Sequence, residues 1–160
     1  MDTIKTDDGL EADILDGGDE ALQVSCNLLN QTHFSGMLPS ISVFAVSRLE
    51  QPNGKPLHAI ALKTENVPDL RGIQSTWVVL VHKNYCDFPF VAQLLLHEMT
   101  HVLLPDENPC HSETFWATLR EKWEVDMGLV MGVGLNADEN PRGLTKLHLD
   151  SLALLRKFGL

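Results

Sequence analysis

The strongest structural signal in this 160-residue chain is the segment Leu94-Leu95-Leu96-His97-Glu98-Met99-Thr100-His101-Val102-Leu103-Leu104. Apolar residues flank the polar ones throughout this segment, and Pro105 follows at the point where a helix must end. Two histidines four positions apart lie on the same face of a helix, one turn above the other. The segment therefore predicts a helix over residues 88–104 that presents His97 and His101 side by side.

The spacing of these two histidines suits a zinc site. One helical turn rises about 5.4 Å, so two imidazole nitrogens can reach the same ion at about 2.0–2.1 Å each. Glu98 follows the first histidine, beside the ion but off the ligand stripe, where it can take a proton from a zinc-activated water. We predict Zn²⁺ as the cofactor, His97 and His101 as ligands and Glu98 as the catalytic residue. The simpler alternative is a pair of surface histidines beside a solvated carboxylate.

The third ligand must come from another part of the chain, because a catalytic zinc takes three protein ligands and keeps one open position. His111 is the preferred candidate, since Pro105 ends the helix and the loop over residues 105–110 turns the chain back. Glu113 is the main alternative, because carboxylates also serve as third ligands, and Asp106 is a weaker one.

The remaining pattern predicts a fold of the α+β class. An N-terminal helix, a three-stranded sheet, the active-site helix and two following helices are expected at residues 19–32, 41–47, 57–63, 76–82, 88–104, 112–127 and 144–157. The turn signal Gln51-Pro52-Asn53-Gly54 makes residues 57–63 the return strand of a hairpin. Residues 1–18 are acidic and contain glycine, so we expect a flexible acidic arm there and a single domain over residues 19–160.

Composition and charge argue against several classes of protein. No apolar run approaches the roughly 20 residues that span a bilayer, and the N-terminus lacks a secretory signal pattern. Three cysteines without a CxxC pair indicate reduced thiols rather than a disulfide framework or a zinc ribbon. A net charge of −10 argues against intrinsic nucleic-acid binding. We expect a cytoplasmic protein with a protein or peptide substrate and no membrane partner.

Several segments resemble the SprT-like family of zinc metallopeptidases and the related YgjP-like and WLM groups. They are Leu38-Pro39 with the strand after it, the strand at residues 76–82, His97-Glu98-Met99-Thr100-His101 and His111-Ser112-Glu113-Thr114-Phe115-Trp116. The resemblance covers about residues 20–127 and implies a minimal zincin-like core. It also implies that His97, His101 and His111 bind zinc and that Glu98 is the base. Ser112 stands where the family often has glycine.

The leading hypothesis is therefore a zinc metallopeptidase that hydrolyses peptide bonds with Glu98 as general base. An extended substrate would pair with an exposed edge of the sheet, for which we expect the strand at residues 76–82. One alternative is a catalytically weak zinc scaffold that binds or regulates a protein partner, and another is a non-peptidase metal hydrolase.

Three further residues have open roles. Tyr85, the only tyrosine, could stabilise an oxyanion, but packing is the simpler interpretation. Asp106 and Glu107 are candidates for hydrogen bonds to a ligand imidazole, or are solvated loop charges.

Overall fold

The computed structural model describes residues 2–15, 19–70, 72–86 and 90–123. Within these ranges the chain forms five strands and three helices: β1 (Asp2–Lys5), β2 (Glu11–Ile14), α1 (Asp19–His33), β3 (Ile41–Glu50), β4 (Ala59–Lys63), β5 (Trp77–His82), α2 (Phe90–Leu103) and α3 (Glu113–Trp123). The expected mixture of helices and strands is confirmed. The helix expected at residues 144–157 lies outside the described residues.

The sheet corrects the sequence-based expectation, because it has five strands rather than three. Their order is β1-β2-β3-β5-β4, with β3 and β5 parallel and the other neighbours antiparallel. The strand expected at the edge, β5, lies between β3 and β4 instead. Its residues Val78–Val81 are all buried, which is typical of a strand covered on both faces.

The turn at residues 51–54 does not join two directly paired strands, as a simple hairpin would. The Gln51 amide donates to the Lys55 carbonyl, and Leu57 donates to the Leu49 carbonyl, so the chain does reverse direction there. Beyond this point β5 separates the two strands, and β4 pairs with β5. The return strand therefore starts beside β3 but forms the outer edge of the described sheet.

The predicted flexible arm is wrong for residues 2–15, which form β1 and β2. Ile4, Ala12 and Ile14 face the core and are buried, while the acidic side chains alternate with them toward solvent. Arg48 of β3 binds these carboxylates: its Nε lies 2.9 Å from Asp13 Oδ2. The hydrogen bonds from Arg48 and Thr3 lower the pKa of Asp13. These paired charges explain why an acidic segment joins the sheet.

The three helices enclose one apolar core. Leu22, Cys26 and Leu29 of α1 are buried in it, and the Cys26 Sγ lies 3.9 Å from the Met99 Sδ of α2. Every side chain from residue 91 to residue 100 of α2 is buried, so this helix runs through the interior. In the described part of the chain, no helix has the length and apolar character needed to cross a bilayer.

Candidate metal centre

Helix α2 holds His97 and His101 one turn apart on one face. Their Nε2 atoms lie 3.2 Å from each other. His97 is completely buried and His101 is half-buried, so the pair sits where the interior of α2 meets solvent. The local helix geometry therefore produces the side-by-side arrangement that the four-residue spacing predicts.

The loop after α2 brings His111 to the same point. The His111 Nε2 lies 3.2 Å from the His97 Nε2 and 3.1 Å from the His101 Nε2. Ser112 fixes the start of α3, because its Oγ accepts a hydrogen bond from the Phe115 amide at 3.1 Å, as an N-cap does. The same hydroxyl donates to Glu107 Oε1 at 2.6 Å. Ser112 thus caps the helix that follows His111.

The three nitrogens form a nearly equilateral triangle that fits a metal ion. The centre of this triangle is about 1.8 Å from each nitrogen. This distance is slightly less than the zinc–nitrogen bond of about 2.0–2.1 Å, so one ion can bond to all three nitrogens at once. His97, His101 and His111 form a cluster of side chains able to hold a metal ion. The histidines predicted as ligands are therefore positioned to bind one.

The electrostatics at His97 and His101 favour neutral imidazoles, which is the form that binds metals. Burial lowers the pKa of His101 to about 4, with a further contribution from His111. Burial also lowers the pKa of His97 well below its usual value, and the two neighbouring histidines add to this. The Phe115 ring stacks on His101 with centroids 4.3 Å apart and supports its orientation.

Glu98 lies in the same cleft and is only 3% exposed. Burial raises the pKa of its carboxyl group to about 8, and a hydrogen bond from the Ala61 backbone partly opposes this shift. The sequence indicated that Glu98 would stand beside the histidines, but neither its burial nor its contact with β4 was predicted.

The cleft has a volume of about 460 Å³. Strand β4 lines it through Ala59, Ile60 and Ala61, and the loop after α2 lines it through Glu107 and Cys110. Apart from the histidines of the cluster, the described residues that line it include no basic side chain.

Two turns complete the cleft, and the sequence did not indicate that either would line it. Asp8 and Leu10 belong to the β1–β2 turn, and Gln51 and Pro52 to the turn after β3. A Cβ atom at Gly9 would lie 3.5 Å from Pro52, so the two turns are in contact. The short strands on either side of the first turn gave no indication in the sequence that they would join the sheet.

The other candidates lie elsewhere or have other partners. Glu113 is exposed at the start of α3, and neither it nor Asp106 belongs to the described metal-binding cluster. Glu107 lies at the cleft and accepts a hydrogen bond from the Ser112 hydroxyl. Tyr85 packs its ring against His58, with centroids 4.0 Å apart, and does not line the cleft. Its packing role is the one its surroundings support.

Comparison of the chain with protein-family models, curated proteins and solved structures gives no match. The function of the chain is therefore inferred from the histidine cluster and the cleft around it.

Proposed function

We propose that this protein is a zinc-dependent metallopeptidase with a minimal zincin-like core of the SprT-like type. The observation that carries the proposal is the convergence of three imidazole nitrogens within 3.2 Å of one another, beside a buried glutamate in an open cleft. Three neutral imidazoles with room for another ligand form a typical catalytic zinc site. When bound, zinc supplies a Lewis acid that acidifies water and polarises a carbonyl group.

Glu98 is the general base in this proposal. A dication beside it favours the ionised carboxylate and opposes the effect of burial. The Ala61 N–H holds the carboxylate from the β4 side, which leaves the other oxygen to accept a proton from the attacking water. Glu98 then donates this proton to the departing amine, so the residue acts first as base and then as acid.

Strand β4 provides the edge on which an extended substrate pairs. His82 donates to the His58 carbonyl at 2.8 Å and Thr64 to the Thr76 carbonyl at 3.0 Å, which fixes the alternation of the β4–β5 ladder. By that alternation, the backbone groups of residues 59, 61 and 63 point away from β5. The hydrogen bond from Ala61 to Glu98 agrees with this direction. Because the Ala61 N–H is already bonded to Glu98, a peptide would pair with the other outward backbone groups of β4, which lines the same cleft as the three histidines.

The decisive experiment compares wild type with Glu98→Gln for zinc content and for hydrolysis of a denatured protein. We expect the variant to keep its zinc and to lose at least about 100-fold in turnover, because the general base is gone. Glu113→Gln, an exposed change on α3, is the matched control and should keep full activity.

Full activity of Glu98→Gln would contradict the assigned role. A wild-type protein that binds zinc in the cleft and a protein partner, but turns over no peptide, would favour the alternative of a binding or regulatory module. Zinc-dependent turnover of a small ester or amide without peptide cleavage would favour a non-peptidase hydrolase.

A further inference from the structure

Two side chains of α2 hold buried polar atoms that have no hydrogen-bond partner among the described residues. Gln93 is 3% exposed, and neither its Oε1 nor its Nε2 has a partner there; the Nδ1 of the fully buried His97 has none either. A buried polar group left unpaired destabilises the fold, because it has lost its hydrogen bonds to water and gained none.

The two residues are four positions apart, so they occupy the same face of α2. Side chains at this spacing have Cβ atoms about 5–6 Å apart, and such pairs form hydrogen bonds across one helical turn. The long side chain of glutamine can span that distance, since it has three rotatable bonds. The four-residue spacing therefore allows the Gln93 amide to reach the unpaired ring nitrogen of His97.

Metal binding determines whether the His97 Nδ1 carries a proton and therefore needs a hydrogen-bond acceptor. When the His97 Nε2 binds an ion, the ring proton must be on Nδ1, which then becomes a buried donor. His101 differs because it is half-buried and nearer to solvent. His97 is thus the ligand that most needs an acceptor from the protein.

We propose that Gln93 is the positioning residue for His97, and that its Oε1 accepts the Nδ1 proton when a metal is bound. This inference rests on the proposed metal site but not on peptidase activity. The hydrogen bond fixes the tautomer and the ring plane of His97, and outer partners of this kind are worth about 10–100-fold in metal affinity.

The test measures zinc affinity by competition with a chromogenic chelator for wild type, Gln93→Leu and Gln93→Glu. We expect Gln93→Leu to bind zinc about 10–100-fold more weakly. Its melting temperature without metal should equal or exceed that of wild type, because leucine removes an unpaired buried amide. Gln93→Glu keeps an acceptor and should retain the wild-type affinity.

Thr100→Val is the matched control, since its hydroxyl is buried on the same helix but donates within it, to the Leu96 carbonyl at 2.7 Å. It should leave zinc affinity unchanged. Nitrogen-15 NMR of the zinc-loaded protein should show a slowly exchanging Nδ1 proton on His97 in wild type that exchanges rapidly in Gln93→Leu.

Equal zinc affinity in wild type and Gln93→Leu would overturn the inference while leaving the metal site intact. Equal losses in Gln93→Leu and Gln93→Glu would also overturn it, because the effect would then be one of packing. Failure of wild type to bind zinc would refute the proposed function together with this inference. Gln93→Met replaces Gln93→Leu if the latter does not fold.

Discussion

Glu98 combines full burial with a carboxyl group, two properties that oppose each other in a folded protein. In the unfolded chain the group ionises near its ordinary pKa of 4.5, whereas burial in the fold raises the pKa to about 8. Between pH 4.5 and about pH 8, the folded protein without metal keeps a proton on Glu98 that the unfolded chain has released. Its free energy of unfolding therefore contains a contribution that is full below pH 4.5 and is lost as pH rises through 8.

The glutamine variant isolates this contribution. Metal-free Glu98→Gln should match wild type in stability near pH 4.5 and exceed it increasingly up to pH 8, by as much as a few kcal/mol, because one pKa unit corresponds to about 1.4 kcal/mol. Urea denaturation in the presence of a chelator, at several pH values, measures the difference. Glu113→Gln serves as the exposed control and should show no such trend; a constant difference for Glu98→Gln would contradict the assigned burial cost.

At the scale of elements, Gln23 of α1 replaces a missing neighbour strand. Strand β2 pairs with β3 only as far as Val46, so Ile41 and Val43 extend beyond it. The Gln23 amide fills this place: its Nε2 donates to the Ile41 carbonyl at 2.8 Å, and its Oε1 accepts from the Val43 amide at 3.0 Å. One side chain thus satisfies two backbone groups and joins the helix to the sheet.

Replacement of this amide should loosen that junction. We expect Gln23→Leu to lower the free energy of unfolding by about 1–3 kcal/mol, because the Val43 N–H loses its acceptor. Urea denaturation checks the value. Gln31→Leu, the same change at an exposed position of α1, should stay within about 0.5 kcal/mol of wild type. Equal effects of the two substitutions would show that Gln23 does not carry this role.

Elements with strong periodicity could be predicted from the sequence. Helix α1 begins at Asp19 as expected, and β3, β5, α2 and α3 occur where the pattern placed them. Strand order could not be predicted, because the parallel β3–β5 pairing depends on long-range packing rather than on local pattern. The four-residue strands β1 and β2 gave a signal too short to separate from an acidic loop.

The cluster of three histidines could likewise be predicted only in part. The relation of His97 to His101 follows from helix geometry alone and was readable from their spacing. The position of His111 depends on a loop and on the Ser112 cap, so Glu113 and Asp106 remained open alternatives until the fold was known. The Ala61 contact of Glu98 requires β4 to be the outer strand, which no local signal indicates.

At the scale of the whole molecule, if the chain is the peptidase proposed above, charge should govern which peptides reach the cleft. The chain carries a net charge of −10, Asp8 and Glu107 both line the cleft, and the described lining has no lysine or arginine. A field of one sign at a cleft raises the local concentration of oppositely charged ligands, and salt screens it over about 10 Å at 0.1 M. We therefore expect a basic unfolded peptide to have a several-fold higher kcat/KM than an acidic peptide with the same residues at the cleaved bond, and the ratio should approach one at high salt.

The double variant Asp8→Asn with Glu107→Gln should reduce this ratio of kcat/KM values through KM. The control is Asp2→Asn combined with Glu65→Gln, two exposed changes that do not line the cleft, and it should reduce the ratio less. A ratio that does not respond to salt or to the rim substitutions would mean that side-chain fit, rather than charge, selects the substrate.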